Sequence, residues 1–128
     1  MAEKEIVRTE TAPAPFQGAP YNQAIKAGGL VFVAGQVGLA PRDSAPTGGI
    51  AEQTDQALRN VGAILEAAGS GLDKLVKTTV FLQHFDHFQA MNEVYARHVG
   101  DRPPARSTVE VAKLPSGALV EIEAIALL

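Results

Sequence analysis

The chain has 128 residues, 46% of them hydrophobic, a formal net charge of −3 and no cysteine. That size suits one domain spanning residues 1–128 around a single core, and the missing cysteines exclude disulfides, thiolate nucleophiles and zinc–thiolate sites. The acidic balance and the lack of a Lys/Arg cluster argue against nucleic acid, no apolar run nears the ~20 residues of a membrane-spanning helix, and the charged start Met1 to Arg8 lacks a secretory signal's apolar stretch, so a cytoplasmic protein acting on a small molecule is expected.

Glu5 to Arg8 suits a short edge strand, and the three prolines of Thr11 to Pro20 forbid helix and favour an ordered, extended loop. Leu30 to Val37 is β-branched and aromatic, with Gly28-Gly29 before it and Gly38 after it, the pattern of a buried strand. After the polar loop Arg42 to Gly49, Ala57, Val61, Ile64, Leu65 and Ala68 recur at helical spacing and predict a helix over Ile50 to Ala68, stopped by Gly69-Ser70-Gly71. Leu75 to Gln83 reads as strand. Phe85, Phe88, Met91, Tyr95 and Val99 predict a second helix over Asp86 to Val99, with Asp86 as its cap and its two aromatics, Phe88 and Tyr95, in the core with Met91. Two strands follow, Ala105 to Ala112 and Leu119 to Leu127, joined by Lys113 to Ala118 as a hairpin turn. The order is β-β-α-β-α-β-β. Two helices cover only one face of such a sheet, yet the last strand has apolar residues of both parities, which implies a partner subunit on the second face.

Period two places Arg106, Thr108 and Glu110 on one face of the penultimate strand and Glu121 and Glu123 on one face of the last. A hairpin about Pro115-Ser116 sets residue 110 opposite 121 and 108 opposite 123, with Arg106 and both glutamates on one side of the sheet and a like-charge Glu110/Glu121 pair. The same pattern fits a solvated polar face without a role. Asn92 falls four residues after Phe88 and three before Tyr95, at the apolar face of its helix, where an internally satisfied amide is the ordinary outcome. His84 and His87 are three apart, but neither His98 nor any His-Glu-x-x-His completes a metal-ligand spacing, so no metal is expected. No phosphate-binding glycine motif and no G-x-S-x-G occurs.

The segments Pro104-Ala-Arg-Ser-Thr-Val-Glu-Val-Ala-Lys-Leu-Pro115 and Val120-Glu-Ile-Glu-Ala-Ile-Ala126 closely resemble the signature of the RidA/YjgF/UK family of imine deaminases. Further matches are Ala19-Pro-Tyr-Asn-Gln-Ala-Ile25, Val31 to Val37, Asn60-Val61 through Gly69, and Val76 to Leu82, so the resemblance covers nearly the whole chain. It implies a chorismate-mutase-like α+β fold, a mixed sheet with two helices on one face, assembled as a homotrimer around a central barrel with sites in the clefts between subunits. By the same resemblance Arg106 holds the substrate carboxylate with its planar fork, Glu121 orients the attacking water and acts as base and then acid, Tyr21 joins them as a catalytic residue, and Asn92, Thr108 and the backbone amide of Gly35 bind the substrate. Glu123 matches a position without a catalytic part. Ala34 stands where many members have Ser, and Thr108 where many have Cys. The implied reaction hydrolyses 2-imino acids, such as 2-iminopropionate from 2-aminoacrylate, to 2-keto acids and ammonia without a cofactor.

Three other activities are compatible with that resemblance. One is a ligand-binding regulator without turnover, which Ala34 favours; another is deamination of a different enamine such as 2-aminomuconate. The third, a ribonuclease, is opposed by the lack of a basic surface.

Overall fold

The computed structural model describes residues 3–128; Met1 and Ala2, which open the charged start discussed above, lie outside them. The described residues form six strands in one mixed sheet and two α-helices. The strands are β1 (Glu5–Val7), β2 (Ala24–Ala27), β3 (Leu30–Val37), β4 (Leu75–Leu82), β5 (Ala105–Glu110) and β6 (Val120–Leu127). The helices are α1 (Ile50–Ala68) and α2 (Phe88–Val99).

Strand β2 is an addition to the elements expected from sequence. It is only four residues long, and Gly28-Gly29, which reads as punctuation before β3, is the two-residue turn of a β2–β3 hairpin. Both glycines hold positive φ (59° and 79°), the backbone that a type I′ turn requires. Helix α1 has its expected bounds and ends at Gly69 in the left-handed region at φ 88°. Helix α2 begins later than expected: Phe85–His87 form a 3₁₀ turn, so Asp86 lies inside that turn and His87 takes the cap position without a side-chain bond.

The larger correction concerns the end of the chain. The sheet order is β1-β2-β3-β6-β4-β5, so β5 and β6 are not a hairpin; β4 lies between them, parallel to β5 and antiparallel to β6. Residues 113–118 do contain a turn, with Ser116 and Gly117 at φ 53° and 69°. It belongs to a connection that crosses the end of β4, where Gln83 anchors it by donating to Ala112 O (3.2 Å) and accepting from Leu114 N–H (2.8 Å).

Burial shows which face the helices cover. Val31, Val33, Val80, Leu82, Val120, Ile122, Ala124 and Ala126 point inward and join Leu58, Val61, Ile64 and Leu65 of α1 and Met91 and Tyr95 of α2 in one core. The intervening residues face the other way, and Phe32 and Val109 there remain 41% and 43% exposed. No helix among the described residues is long and apolar enough to cross a membrane.

Candidate active site

Three of the expected site residues meet at one end of the sheet. Strand β3 pairs with β6 from Leu30 to Val33 and again at Gln36 and Val37, with a register shift between them that takes Ala34 and Gly35 out of the ladder. Such a bulge bends its strand and re-aims neighbouring groups. Here it makes room for a carboxylate, because a Cβ on Gly35 would lie 2.5 Å from Glu121 Oε2 and 2.9 Å from its Cδ. Glu121 thus lies directly over the bare backbone of Gly35. It forms the floor of a cleft of about 360 Å³ whose walls include Pro13, Phe16, Tyr21, Ala34 and Leu39.

Burial raises the Glu121 carboxyl above the usual carboxylate range, and the negative charge of Glu123 adds to the effect. Glu121 makes no side-chain hydrogen bond or salt bridge among the described residues. Opposite it, the Tyr21 hydroxyl accepts a hydrogen bond from Phe16 N–H at 2.6 Å. Its own proton is therefore free to be donated elsewhere.

The other three expected residues gather on the opposite side of the sheet, at its β5 edge. Arg106, Thr108 and Glu110 align with Thr78, Val80 and Leu82 of β4, all on the helix-covered face. The Arg106 guanidinium sits 4.8 Å from the Tyr95 ring centroid and 5.6 Å from that of Phe88, stacked against both. It takes no part in the salt bridges among the described residues, which join Lys26 to Glu5 and Asp55 to Arg59 and His98. Tyr95 is held by a 2.6 Å hydrogen bond with Thr78, and burial pushes its hydroxyl pKa up against the opposing pull of that bond and of the Arg106 charge. Asn92 lies between Phe88 and Tyr95 on the same helical face. Asn92 Oδ1 and Thr108 Oγ1 are both buried without a hydrogen-bond partner among the described residues. A buried polar atom without a partner costs free energy, and Thr54 Oγ1 and His87 Nδ1 share this state with them among the described residues. The ordinary outcome for a helix-facing amide, internal satisfaction, does not hold for Asn92.

Arg106 and Glu121 therefore do not share a side of the sheet, contrary to the hairpin expectation. Arg106 aligns through Thr78 with Ala124, two strands across and three residues along from Glu121. By strand spacing and rise their Cα atoms are about 14 Å apart, with the side chains on opposite faces. The Glu110/Glu121 pair is likewise absent: Glu110 aligns with Leu82, and its Oε1 accepts from Phe85 N–H at 2.8 Å. The imidazoles of His84 and His87 meet edge to face at 5.7 Å.

Sequence reasoning passed over Gln23. Its side chain is buried, and its Nε2 donates to the carbonyls of Thr9, Ala12 and Pro13 (3.0, 3.2 and 2.8 Å) while its Oε1 accepts from Thr9 N–H (2.7 Å). The only signal available was an amide in the segment Tyr21 to Ile25, just before a strand, which must find partners once buried.

Comparison with known proteins gives a concordant result. A family model described as Endoribonuclease L-PSP matches residues 9–128. A RutC family protein of Pyrococcus horikoshii is 50% identical over 124 residues, 96% of this chain and 97% of that protein. The Homo sapiens protein named 2-iminobutanoate/2-iminopropanoate deaminase is 42% identical over 118 residues, 91% of this chain and 86% of its own length. Among solved structures, that of E. coli TdcF with bound serine superposes with a TM-score of 0.89 at 36% identity, covering 97% of this chain and 98% of that one. The chain belongs to the Endoribonuclease L-PSP family, also called the YjgF/RidA family.

Proposed function

We propose that this chain, as one domain, hydrolyses 2-imino acids to 2-keto acids and ammonia at sites shared between copies of a homotrimer, with no cofactor assigned. The observation that carries the proposal is Glu121: an unpaired, half-buried carboxyl with a raised pKa, seated on Gly35 in an open cleft. A carboxyl of that kind suits a group that takes a proton and returns it.

The split between the two residue groups supports the shared site. Glu121, Tyr21 and Gly35 supply proton transfer and a backbone cradle; Arg106, Asn92 and Thr108 supply an anion clamp and two unmet hydrogen-bonding atoms. A substrate with a carboxylate next to a C=N bond needs both, and one chain holds them on opposite faces of the sheet. A second copy bringing its β5 edge to the cleft of the first completes the set. The uncovered sheet face, with Phe32 and Val109 exposed, favours assembly through that face into a trimer with an inner barrel. The name of the Homo sapiens relative and the serine bound to TdcF support small 2-imino acids as the substrate class.

In the reaction, Arg106 grips the carboxylate through both oxygens. With the imine nitrogen already protonated from solvent, Glu121 takes a proton from water as the water oxygen bonds to the imine carbon and the C=N π pair moves onto nitrogen, giving the neutral amine of the carbinolamine. Glu121 then returns that proton to the nitrogen of the carbinolamine. The C–N bond breaks, ammonia leaves, and the hydroxyl proton passes to Glu121 and on to solvent, which leaves the keto acid and the ionised carboxylate for the next cycle. The Tyr21 proton, free of the Phe16 contact, is placed to steady the hydroxyl group that forms.

The test generates 2-iminopropanoate and 2-iminobutanoate in place with a dehydratase, in the presence of semicarbazide. The protein is expected to lower the semicarbazone yield in proportion to its concentration. An unchanged yield with tight binding of a substrate analogue would contradict hydrolysis and fit a regulator, the reading Ala34 favours.

A further inference from the structure

We infer that Gln23 is a positioning residue that sets the Tyr21 hydroxyl in the candidate site, an inference that rests on Tyr21 and Glu121 as the reacting pair. Its carboxamide is 3% exposed and every hydrogen-bonding group of it is engaged, all with the backbone of residues 9–13. That stretch has no strand or helix of its own, so beyond the local Thr9–Thr11 hydrogen bonds the Gln23 side chain stands in for the ladder that would otherwise hold it. Pro13 and Ala14 pass directly from it into the wall of the cleft.

The chain then turns sharply at Gln17 and Gly18, with φ of 52° and 68°, and Gly18 N–H and Ala19 N–H donate to the carbonyls of Pro15 and Phe16. A non-glycine residue with positive φ is costly and persists only where its surroundings fix it. The turn returns the chain to Tyr21, whose hydroxyl accepts from Phe16 N–H. The path from Gln23 to the Tyr21 oxygen therefore runs through the pinned carbonyls of Ala12 and Pro13 to the Phe16 amide.

The backbone of Gln23 serves the other half of the same cleft. Its carbonyl accepts from Ala34 N–H at 2.9 Å, which holds the bulge on which Glu121 rests. Side-chain substitution leaves that bond in place, so the effect of a variant reports on the loop and Tyr21 alone.

The test compares Gln23→Met, Tyr21→Phe and the double variant in the imine assay, and follows amide hydrogen exchange at Ala14 and Phe16. Gln23→Met is expected to lower kcat by about a hundredfold, the scale of an ångström-sized misplacement. In the Tyr21→Phe background the same change is expected to cost less than about threefold, because residues acting as one unit are not additive. Exchange at Phe16 should rise while the amides of β3 and β6 keep their protection. Additive losses, or a Gln23→Met protein with wild-type kcat, would overturn the inference. Should Gln23→Met fail to fold, Gln23→Asn, which keeps the amide but is one methylene too short to reach all three carbonyls, is read against the same outcomes. A wild-type protein without imine hydrolysis defeats the proposed function instead; exchange then decides, and unchanged protection at Phe16 in the variant refutes the role of Gln23.

Discussion

Replacing Gly35 by Ala separates fold from chemistry with one methyl group. The added Cβ would stand 2.5 Å from Glu121 Oε2, 2.9 Å from Cδ and 3.0 Å from Cγ, whereas ordinary contact begins near 3.4 Å. The carboxylate must therefore retreat by about 1 Å. Gly35 is not among the residues of positive φ, so Ala is compatible with its backbone, and the atoms it displaces end a flexible side chain. Reduced freedom of the unfolded chain offsets part of the crowding, leaving stability within about 1 kcal/mol of wild type. Catalysis has no such latitude, since a displacement of this size costs about a hundredfold in rate, equivalent to about 2.7 kcal/mol of barrier. Urea unfolding and the semicarbazide-competition assay on the same preparation measure both quantities. Wild-type kcat/KM in a folded Gly35→Ala protein would refute the placement of Glu121 as the proton-transfer group.

Glu121→Gln should abolish turnover yet stabilise the fold at neutral pH. Burial and Glu123 raise the folded-state pKa above the unfolded one, so the protonated carboxyl's contribution is fully present below the unfolded value and lost as pH rises through the folded value; urea titrations across that window should show the wild type, and not the variant, losing stability. Arg106→Ala should weaken substrate binding by about 2–5 kcal/mol, or roughly thirtyfold to several thousandfold, and Arg106→Lys should recover little because the fork is lost; steady-state kinetics on proteins of verified oligomeric state check both. At Asp55, burial raises the carboxyl pKa, but hydrogen bonds from Arg59 and His98 outweigh it and leave a net lowering. Asp55→Asn should therefore cost no more than about 1 kcal/mol for this partly exposed group, a difference that fades as pH falls through the lowered pKa. Leu58→Ala, at a fully buried position of α1, should cost about 2–5 kcal/mol in thermal or urea unfolding without altering the site.

What the sequence made legible follows from the range of the forces involved. Helix α1 was readable end to end because Ala57, Val61, Ile64 and Leu65 bury one face and Gly69 supplies a left-handed stop, all local facts. Strand order is not local. The turn at Pro115 to Gly117 was a sound prediction of a turn and a poor one of a hairpin, because nothing in that stretch reports that β4 already occupies the edge of β6. From that one error came the false Glu110/Glu121 pair and the placing of Arg106 beside the glutamates. Strand and helix periodicity singled out Arg106, Thr108, Glu121 and Asn92, whereas their roles, and Gly35 with them, came only through the resemblance, and Asn92 and Thr108 gained weight when their unpaired atoms could be seen. Gln23 stayed hidden because its partners are carbonyls ten or more residues away, which no side-chain pattern records.

The shared site is tested most directly by mixing two inactive proteins, Arg106→Ala and Glu121→Gln, after unfolding and refolding them together in equal amounts. If each site takes Arg106 from one subunit and Glu121 from the next, every mixed trimer holds one intact site, and random assembly restores about a quarter of the wild-type activity. Activity no greater than that of the two parents, in a preparation shown to contain mixed trimers, would contradict a site built between subunits.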